Sequence, residues 1–483
     1  MKLAELIKNI PAIKVIGNTD IEITGITKDS RKAKEGCIFF ATEKSERFIN
    51  DAAERGASVI ASDEEVKTYF PCFIKTDNPK ELLGHIASKF YDFPSKELYM
   101  IGITGTNGKT TTSCLIESIL NFAGKKAGLI GTISYRYNGR TIKAYNTTPG
   151  AEELQSLLHD MKVAGTEYVV MEVSSHALDQ KRVEGVDFNT AIFTNLTHDH
   201  LDYHGTLENY KATKKLFFSH FLKKSSKEGK HAIINADDPG AVGFIPDLPV
   251  RTLFYSLKKT SDAYLTGFRE DIGGLQLELI LMGKPLSIVS PLIGAFNVSN
   301  ILAASLAGYV ADMSYEQIKK GLDGLEGVPG RLERVKNEKG VSIFIDYAHT
   351  PDALKKVLET LNSLKKGKLT VIFGCGGDRD REKRPVMGNI ASHLADHSII
   401  TSDNPRSEDP MKIIEDIKKG FDGNTFRIVE NRKDAIFEGI KTIKQDDVLL
   451  IAGKGHEDYQ IIGDKVFHFS DREVVEEFLD VAC

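Results

Sequence analysis

The sequence predicts an α/β protein of three domains: a small N-terminal α/β domain, a central P-loop-type domain on a mostly parallel sheet, and a C-terminal Rossmann-like α/β domain. Three observations carry this. Short apolar runs such as LYMIGIT (98–104), YVVMEVSS (168–175) and NTAIFTNL (189–196) alternate with helical segments. Strands apolar on both faces belong in a parallel sheet covered by helices. The first of these runs leads straight into GITGTNGKTTT (102–112), a glycine-rich turn that opens a helix. The chain also changes character at YDFPSK (91–96), where Pro94 interrupts either periodicity, and at VPGR (328–331). Its 483 residues suit two to four domains of about 100–200 residues each, and the breaks put the boundaries at 1–97, 98–328 and 329–483.

Composition excludes several classes. With 63 basic against 68 acidic residues, net −5, and no long block of one sign, nothing suggests a nucleic-acid platform. MKLAELIKNI is too short and too charged for a secretory signal, and no run of about eighteen apolar residues predicts a membrane span. Cys37, Cys72, Cys114, Cys375 and Cys483 are scattered without a CxxC pair, as reduced thiols in the cytoplasm would be. A monomer is the expectation.

In chain order, IEITGIT, CIFFAT, FINDAAERGASVIAS and CFIKT build the small first domain, with Asp29–Arg31 as a surface turn. Next comes the glycine loop. In LIESILNFA, residues Leu115, Ile116, Ile119, Leu120 and Ala123 share one helical face, and Gly124 is a natural stop. Strand, glycine loop, Gly-Lys-Thr and helix are the layout of a phosphate-binding loop. Backbone N–H groups meet the anion, Lys109 reaches the terminal phosphates, and Thr110 can ligate Mg²⁺. Ile103 stands where the general pattern has its first glycine, so the loop is a short variant. KAGLIGT and HAIINADD continue the strands, and alternating segments over 263–291 predict antiparallel ribbons near the sheet edge. Residues 296–311 read as a helix. The third domain repeats strand and helix: VSIFIDYAHT, a helix over 352–364, LTVIFGCGG, a helix near 387–397, SIITSDNPR and DVLLIAGKGHED. No GxGxxG of a dinucleotide site is present.

Ligands of open α/β sheets gather at the carboxyl ends of strands. Glu172 ends a strand in the phosphate-loop domain, where a carboxylate suits Mg²⁺. THDHLDYH (197–204) has three histidines and two aspartates, a metal-like density. It comes within one residue of the HxHxDH of metallo-β-lactamase-type hydrolases, a rival that leaves the phosphate loop idle. In the third domain DYAHTPD, GGDRDREKRP, SDNPRSEDP and AGKGHEDYQ crowd charge at four strand ends. Arg379 and Arg406 are suited to carboxylates, Asp403 and Glu457 to ammonium groups. An amino acid fits that face.

Taken together, TGTNGKTTT, NTTP (146–149), EVSSHAL with Gln180 and Arg182, TNLTHDHLDYHG, FNVSN, PGR, DYAHTPD, GGDRD, DNPR and GKGHEDYQ resemble the Mur ligases, in order and over essentially the whole chain. The resemblance implies domains for a nucleotide-sugar, for ATP and for an amino acid. It places ATP on Gly105, Thr106, Asn107, Gly108, Lys109, Thr110 and Thr111, with Asn297, Asn300, Arg331 and Asp346 around the nucleotide where the hinge lets the third domain close. It implies Mg²⁺ held by Thr110, Glu172, His200 and Lys214, the last as a carbamate. By its helical position alone Lys214 is an ordinary surface lysine, with Lys215 its neighbour and competitor. The resemblance further gives Ser30 to the uridine, and Asn146, Thr147, Thr148, Ser174, Gln180 and Arg182 to the sugar-peptide. Lys109, Glu172, His200 and Lys214 are the catalytic set.

The implied partners are UDP-MurNAc-L-Ala-D-Glu and meso-diaminopimelate. The implied reaction moves the γ-phosphoryl of ATP to the D-Glu carboxylate, making an acyl phosphate that the amino group attacks. Members of the family that add meso-diaminopimelate carry DNPR, here Asp403, Asn404, Pro405 and Arg406, and lysine-adding members usually lack the arginine. Arg379, Gly453 and Glu457 complete the pocket. The segment FFATEKSERFI (39–49) is shorter than the family's loop, so no uridine contact is drawn from it. The L-lysine-adding ligase, a folylpolyglutamate synthetase-like ligase and a GTPase are the alternatives. No NKxD guanine motif supports the last.

Overall fold

The computed structural model describes residues 1–11, 13–42, 46–64, 70–197, 199–245, 250–337 and 340–481. His198 and Cys483, part of the histidine cluster and the cysteine set above, lie outside them, as do three residues of the 39–49 segment. The architecture is mixed α/β with mostly parallel sheets. Contacts gather into two compact units, Met1–Tyr264 with Ile280–Lys284 and Ser299–Gly321, and Leu265–Leu279 with Pro285–Val298 and Leu322–Cys483.

The first unit contains a five-stranded sheet in the order Ile13–Gly17, Cys72–Thr76, Val59–Ser62, Cys37–Phe40, Gly25–Thr27. Only its first pair is antiparallel. The helix Pro79–Phe90 covers it, with Leu82, Leu83 and Ile86 in the core. Asn78 caps that helix by accepting from Glu81 N–H, and proline sits in its first turn, where its missing N–H costs nothing.

The unit's larger sheet runs Arg251–Ser256, His231–Asn235, Thr190–Phe193, Tyr99–Thr104, Tyr168–Glu172 and Ala127–Ile130, all parallel, and ends in the antiparallel Ser134–Tyr137 and Arg140–Lys143. Tyr99–Thr104, the strand that feeds the phosphate loop, lies between Thr190–Phe193 and Tyr168–Glu172, so polar strand ends flank the loop on both sides. That strand is buried along nearly its whole length, which explains its apolar run. Gly102 lets two rings pack against it: a Cβ there would strike Phe217 and come within 2.8 Å of Phe188. The phosphate-loop helix, Lys109–Phe122, ends just before Gly124, as its pattern predicts. Ala263 and Tyr264 begin the strand Ala263–Asp271 parallel to Arg251–Ser256, and Gly274–Leu281 and Lys284–Ser290 are strands where the alternation predicts ribbons.

The second unit is built on a six-stranded sheet, Glu333–Val335, Ser342–Asp346, Val448–Ala452, Leu369–Phe373, His397–Ile400, Phe426–Ile428, parallel except for its first strand. Helices on the two faces bury separate cores, one around Leu354, Leu358, Met387 and Ile414, the other around Ile436, Leu449 and Val475. The carboxyl ends of Ser342–Asp346, Val448–Ala452, Leu369–Phe373 and His397–Ile400 carry the four charged loops singled out above.

A fully buried ion pair braces this unit. Arg432 donates through Nε to Asp471 Oδ1 at 2.7 Å and through Nη2 to Oδ2 at 2.8 Å, and Nη2 also reaches Ala452 O at 3.0 Å. Both side chains are 0% exposed. Removing one partner of such a pair strands a charge in low dielectric and costs about 3–5 kcal/mol. Asp471→Ala should lose about that much unfolding free energy in urea, whereas Arg432→Met with Asp471→Leu should recover most of it. Equal losses in the two variants would contradict the assignment.

Candidate active site

The phosphate loop is held open by backbone geometry. Gly105 and Gly108 have φ of +148° and +88°, and a Cβ on Gly105 would strike Thr194 Oγ1, one on Gly108 would strike Asn300 Oδ1. Gly108 stands at the N-cap of Lys109–Phe122 and offers no side chain to the first turn, whose N–H groups therefore favour an anion. The loop after Thr190–Phe193 braces it: Asn195 Oδ1 accepts from Asn107 N at 3.0 Å, and Thr194 Oγ1 donates to Asn107 O at 2.6 Å.

Lys109 Nζ donates to Gly105 O and Thr106 O, both at 2.9 Å. Lys214 Nζ donates to the same Gly105 O at 2.9 Å and lies over the Tyr210 ring. The helix-surface reading of Lys214 is thus overturned. It is 1% exposed, because the Leu207–Leu216 helix turns Tyr210, Thr213 and Lys214 inwards. Burial, with Lys109 beside it, pushes the Lys214 amine well below the usual lysine range, and Asp199 only partly opposes this.

Glu172 is buried at its strand end and takes three donors: Thr110 Oγ1 (3.0 Å) and Thr132 Oγ1 (2.9 Å) on one oxygen, Thr132 N (2.9 Å) on the other. Its carboxylate therefore faces hydroxyls that can turn to a metal. His200 adopts a left-handed φ of +53° and lies 3.5 Å from Asp199. Burial lowers its imidazole, as do Lys109 and Lys214. A neutral ring nitrogen is a usable ligand.

From Glu172 the contacts continue. Thr132 Oγ1 and Thr147 Oγ1 are 3.1 Å apart, and Thr148 Oγ1 donates to Glu172 O at 2.8 Å. Thr148 Oγ1 also accepts from Ser174 N (3.1 Å), and Thr148 O accepts from Arg182 Nη1 (2.9 Å). Arg182 forks onto Gln180 Oε1 at 3.1 and 2.8 Å. Asn146 enters through its carbonyl, which accepts from Tyr135 OH at 2.7 Å. Gln180 and Arg182 then line a cavity of about 780 Å³ together with Ser30. Ser30 is buried in a one-turn 3₁₀ helix, so Asp29–Arg31 is less of a surface turn than its composition suggests. Lys28, Lys80 and Tyr203 also line the cavity. Sequence reasoning missed these three, and missed Thr132. Only Thr132 had a signal, being the polar residue just past a parallel strand.

In the second unit Arg406 is fixed at φ +51°, its N–H donating to Ile461 O (3.1 Å) and its carbonyl accepting from Gly463 N (2.8 Å). Its guanidinium gives Nη1 to Gly377 O at 2.8 Å. Arg379 is exposed on the neighbouring turn. Asn404 Nδ2 donates to Glu457 Oε2 at 3.1 Å, and Lys454 Nζ lies 3.3 Å from both Glu457 Oε2 and Asn404 Oδ1. Burial raises the Glu457 carboxyl. Asp403 is buried and accepts from Asn404 N at 2.6 Å; a Cβ on Gly453 would come within 2.9 Å of its Oδ2. Lys454, fully buried, was overlooked although GKGHEDYQ contains it. Asp346 Oδ1 and Oδ2 accept from Ala348 N (2.7 Å) and Leu332 N (2.6 Å), and Arg331 stacks on Tyr347. Asn297 donates to Ile293 O at 2.7 Å within this unit, while Asn300 belongs to the first unit and accepts from Thr112 Oγ1 at 3.3 Å.

Comparison with known proteins bears on these geometries. Residues 103–308 match the Mur ligase middle domain, and 330–455 match the Mur ligase glutamate ligase domain. A Clostridium tetani protein named UDP-N-acetylmuramoyl-L-alanyl-D-glutamate–2,6-diaminopimelate ligase is 44% identical over 490 aligned positions, covering 99% of each chain. The chain belongs to the Mur ligase family. A like-named Bacillus cereus protein is 42% identical, over 99% of this Mur ligase and 98% of its own length. A solved structure of a ligase with that name superposes with a TM-score of 0.72 at 33% identity, covering 100% of this chain and 99% of its own. A Mycobacterium tuberculosis folylpolyglutamate synthase, at 18% identity and TM-score 0.62 over 76% of this chain and 91% of its own, shares the fold.

Around His200 the Mur ligase packs further rings. The His176 ring lies 4.9 Å from that of His200 and 5.7 Å from that of His204, and His204 Nε2 is 3.0 Å from Ser175 Oγ. Burial first, then His200 and His204, bring the His176 imidazole down from 6.5 to about 4. The unfolded chain takes up this proton near its ordinary value and the folded chain only near 4. The resulting stability is complete above the unfolded value and is lost as pH falls between the two. His176→Gln should therefore reduce the slope of urea-derived stability against pH between about 6.5 and 4. An unchanged slope would contradict the burial argument.

Proposed function

We propose that the chain is an ATP-dependent ligase that adds meso-diaminopimelate to UDP-MurNAc-L-Ala-D-Glu, a step in making the peptidoglycan precursor. One observation carries the reading. A continuous set of hydrogen bonds runs from Thr110, beside Lys109 in the phosphate loop, through Glu172, Thr132 and Thr148 to Arg182 and Gln180 in the wall of the Ser30 cavity. A phosphate receptor thus shares one network with a cavity of about 780 Å³, within the usual range for a ligand of nucleotide-sugar size.

The roles follow from the chemistry. A free carboxylate resists amines at neutral pH, since oxide is a hopeless leaving group. Transfer of the ATP γ-phosphoryl to the D-Glu side-chain carboxylate converts that oxygen into phosphate, which departs when the amine attacks. Lys109 and the first-turn N–H groups hold the phosphates and receive the charge that builds on them. Thr147, Thr148, Ser174, Gln180, Arg182 and Asn146 position the sugar-peptide, Ser30 the uridine. Asn297, Asn300, Arg331 and Asp346 serve the nucleotide on the strength of the resemblance.

Thr110 and Glu172 fit Mg²⁺, because a buried carboxylate already accepts from the hydroxyl that phosphate loops present to this ion. His200 would add a nitrogen. Lys214 fits as a carbamate: its buried amine is pushed towards the neutral form, which can add CO₂ and release a proton to give an anionic oxygen ligand. Mg²⁺, when bound, would neutralise charge on the phosphoryl oxygens. Three domains bounded at 1–97, 98–328 and 329–483 remain the proposed layout, supported by the separate sheets. No helix among the described residues is long and apolar enough to cross a membrane, and Cys37, Cys72, Cys114 and Cys375 are buried free thiols. Reduced, buried thiols favour the cytoplasm, and the protein is proposed to act there as a monomer.

Choice of amino acid rests on Arg406. Meso-diaminopimelate is lysine with a further carboxylate, and Arg406, pinned through Gly377, presents the rest of its fork to that group. Lysine would leave the guanidinium without its partner, which disfavours it. Asp403, Asn404, Glu457 and Gly453 form the part of the face suited to an ammonium group, and Arg379 can take a second carboxylate. Phosphate release with ATP, Mg²⁺ and UDP-MurNAc-L-Ala-D-Glu should depend on meso-diaminopimelate, with L-lysine a far weaker acceptor. Arg406→Ala should cut the kcat/KM preference between the two at least tenfold. Equal acceptance by the wild type would favour the lysine-adding alternative, and an unchanged preference in the variant would remove Arg406 from the selection.

A further inference from the structure

Away from the phosphate loop, one group of side chains has metal-ligand chemistry that the ligase reaction does not use. Glu81 and His85 stand one helical turn apart on Pro79–Phe90, so both face the same side. Opposite them is Glu184, whose side chain is only 4% exposed. One ligand atom from each of the three lies within 4.8 Å of the others. His85 Nε2 is 3.4 Å from Glu184 Oε1 and 3.9 Å from Glu81 Oε1. Both separations exceed a hydrogen bond. They are close to the roughly 3.3 Å edge of a tetrahedron whose centre binds nitrogen and oxygen at about 2.0–2.1 Å.

A second observation points to a ligand. Glu184 gathers two imidazoles at long range: Oε1 is 3.4 Å from His85 Nε2, and the buried Oε2 is 3.6 Å from His220 Nε2, both looser than a direct hydrogen bond. A buried carboxylate held only by such long pairs is better compensated by an ion seated among these groups. His220 is carried by a π-helical turn, Phe217–Leu222, an irregularity that aims this ring at Glu184. The surroundings are rigid. Gly84 packs directly on Glu184, where a Cβ would come within 2.8 Å of its carbonyl oxygen, and Ser88 Oγ donates to Gly185 O at 2.9 Å. The competing cations nearby are Lys224, 4.0 Å from Glu81 and 58% exposed, and Lys181, which acts on His220.

We propose that Glu81, His85 and Glu184 form a site for one transition-metal dication, with His220 against the other oxygen of Glu184 as a fourth group. Imidazole with carboxylates suits zinc better than magnesium. The ion's two charges balance those of the two carboxylates. His85 is 43% exposed, which gives the ion a way in. The site joins both walls of the sugar cavity, since Lys80 and Leu83, beside and within the Glu81–His85 turn, line one side and Arg182, two residues before Glu184, lines the other. Its role is to clip these walls together, distinct from the Mg²⁺ of the reaction.

The test is titration of the chelator-stripped, full-length protein with Co²⁺ in the presence of millimolar-scale Mg²⁺, read by visible absorption. One equivalent should give the intense bands of four-coordinate cobalt, displaced by Zn²⁺, and zinc should raise the melting temperature. His85→Ala, at an exposed position, should weaken binding at least tenfold and abolish the rise. Glu81→Gln provides a second variant that leaves the buried residues intact. The bands should survive His200→Ala, which removes the ring near the phosphate loop. Absence of the bands, or bands lost in His200→Ala but kept in His85→Ala and Glu81→Gln, would overturn the proposal.

Discussion

Gly105 O accepts from two lysine side chains at once, and the chemistry of the first unit depends on that crowding. Lys109 and Lys214 each reach it at 2.9 Å, one from the phosphate-loop helix and one from a helix a hundred residues later. Lys109 and the first-turn N–H groups at the floor of the site favour a polyphosphate. Burial first, and then Lys109 beside it, drive Lys214 towards a neutral amine, the form that can become a carbamate.

Glu172 is the complementary centre. It takes the hydroxyls of Thr110 and Thr132, and its own carbonyl holds Thr148. Any shift of this carboxylate would therefore be passed to Thr148 and Thr132 through hydrogen bonds rather than through loose packing. In the second unit the corresponding rigidity is steric. Gly377 packs on the Pro405 backbone, where a side chain would collide, and a Cβ on Gly376 would come within 2.9 Å of Arg406 Nη1; this closeness lets Gly377 O hold Arg406.

Much of this was legible in the sequence because strand ends announce themselves. An apolar run closing on Glu172, on Thr104 before the glycine turn, or on Asp346 marks both a buried strand and the polar group it delivers. Lys214 was illegible from its own segment. YKATKKLF reads as an exposed helix, and only the fold shows that Tyr210, Thr213 and Lys214 face inwards. Lys28 and Lys80 were likewise silent, since surface lysines are common and nothing local says which ones border a cavity. Glu81, His85, Glu184 and His220 come from three separate segments, and their convergence is a property of packing that no motif records.

The most direct test of the account follows an oxygen atom. UDP-MurNAc-L-Ala-D-Glu labelled with ¹⁸O in the D-Glu side-chain carboxylate is turned over with ATP, Mg²⁺ and meso-diaminopimelate, and the released phosphate is analysed by mass spectrometry. Activation at the carboxylate predicts that each phosphate carries one oxygen from the substrate. Phosphate free of the label would mean that the γ-phosphoryl goes to water, and the phosphate loop would then serve a different reaction.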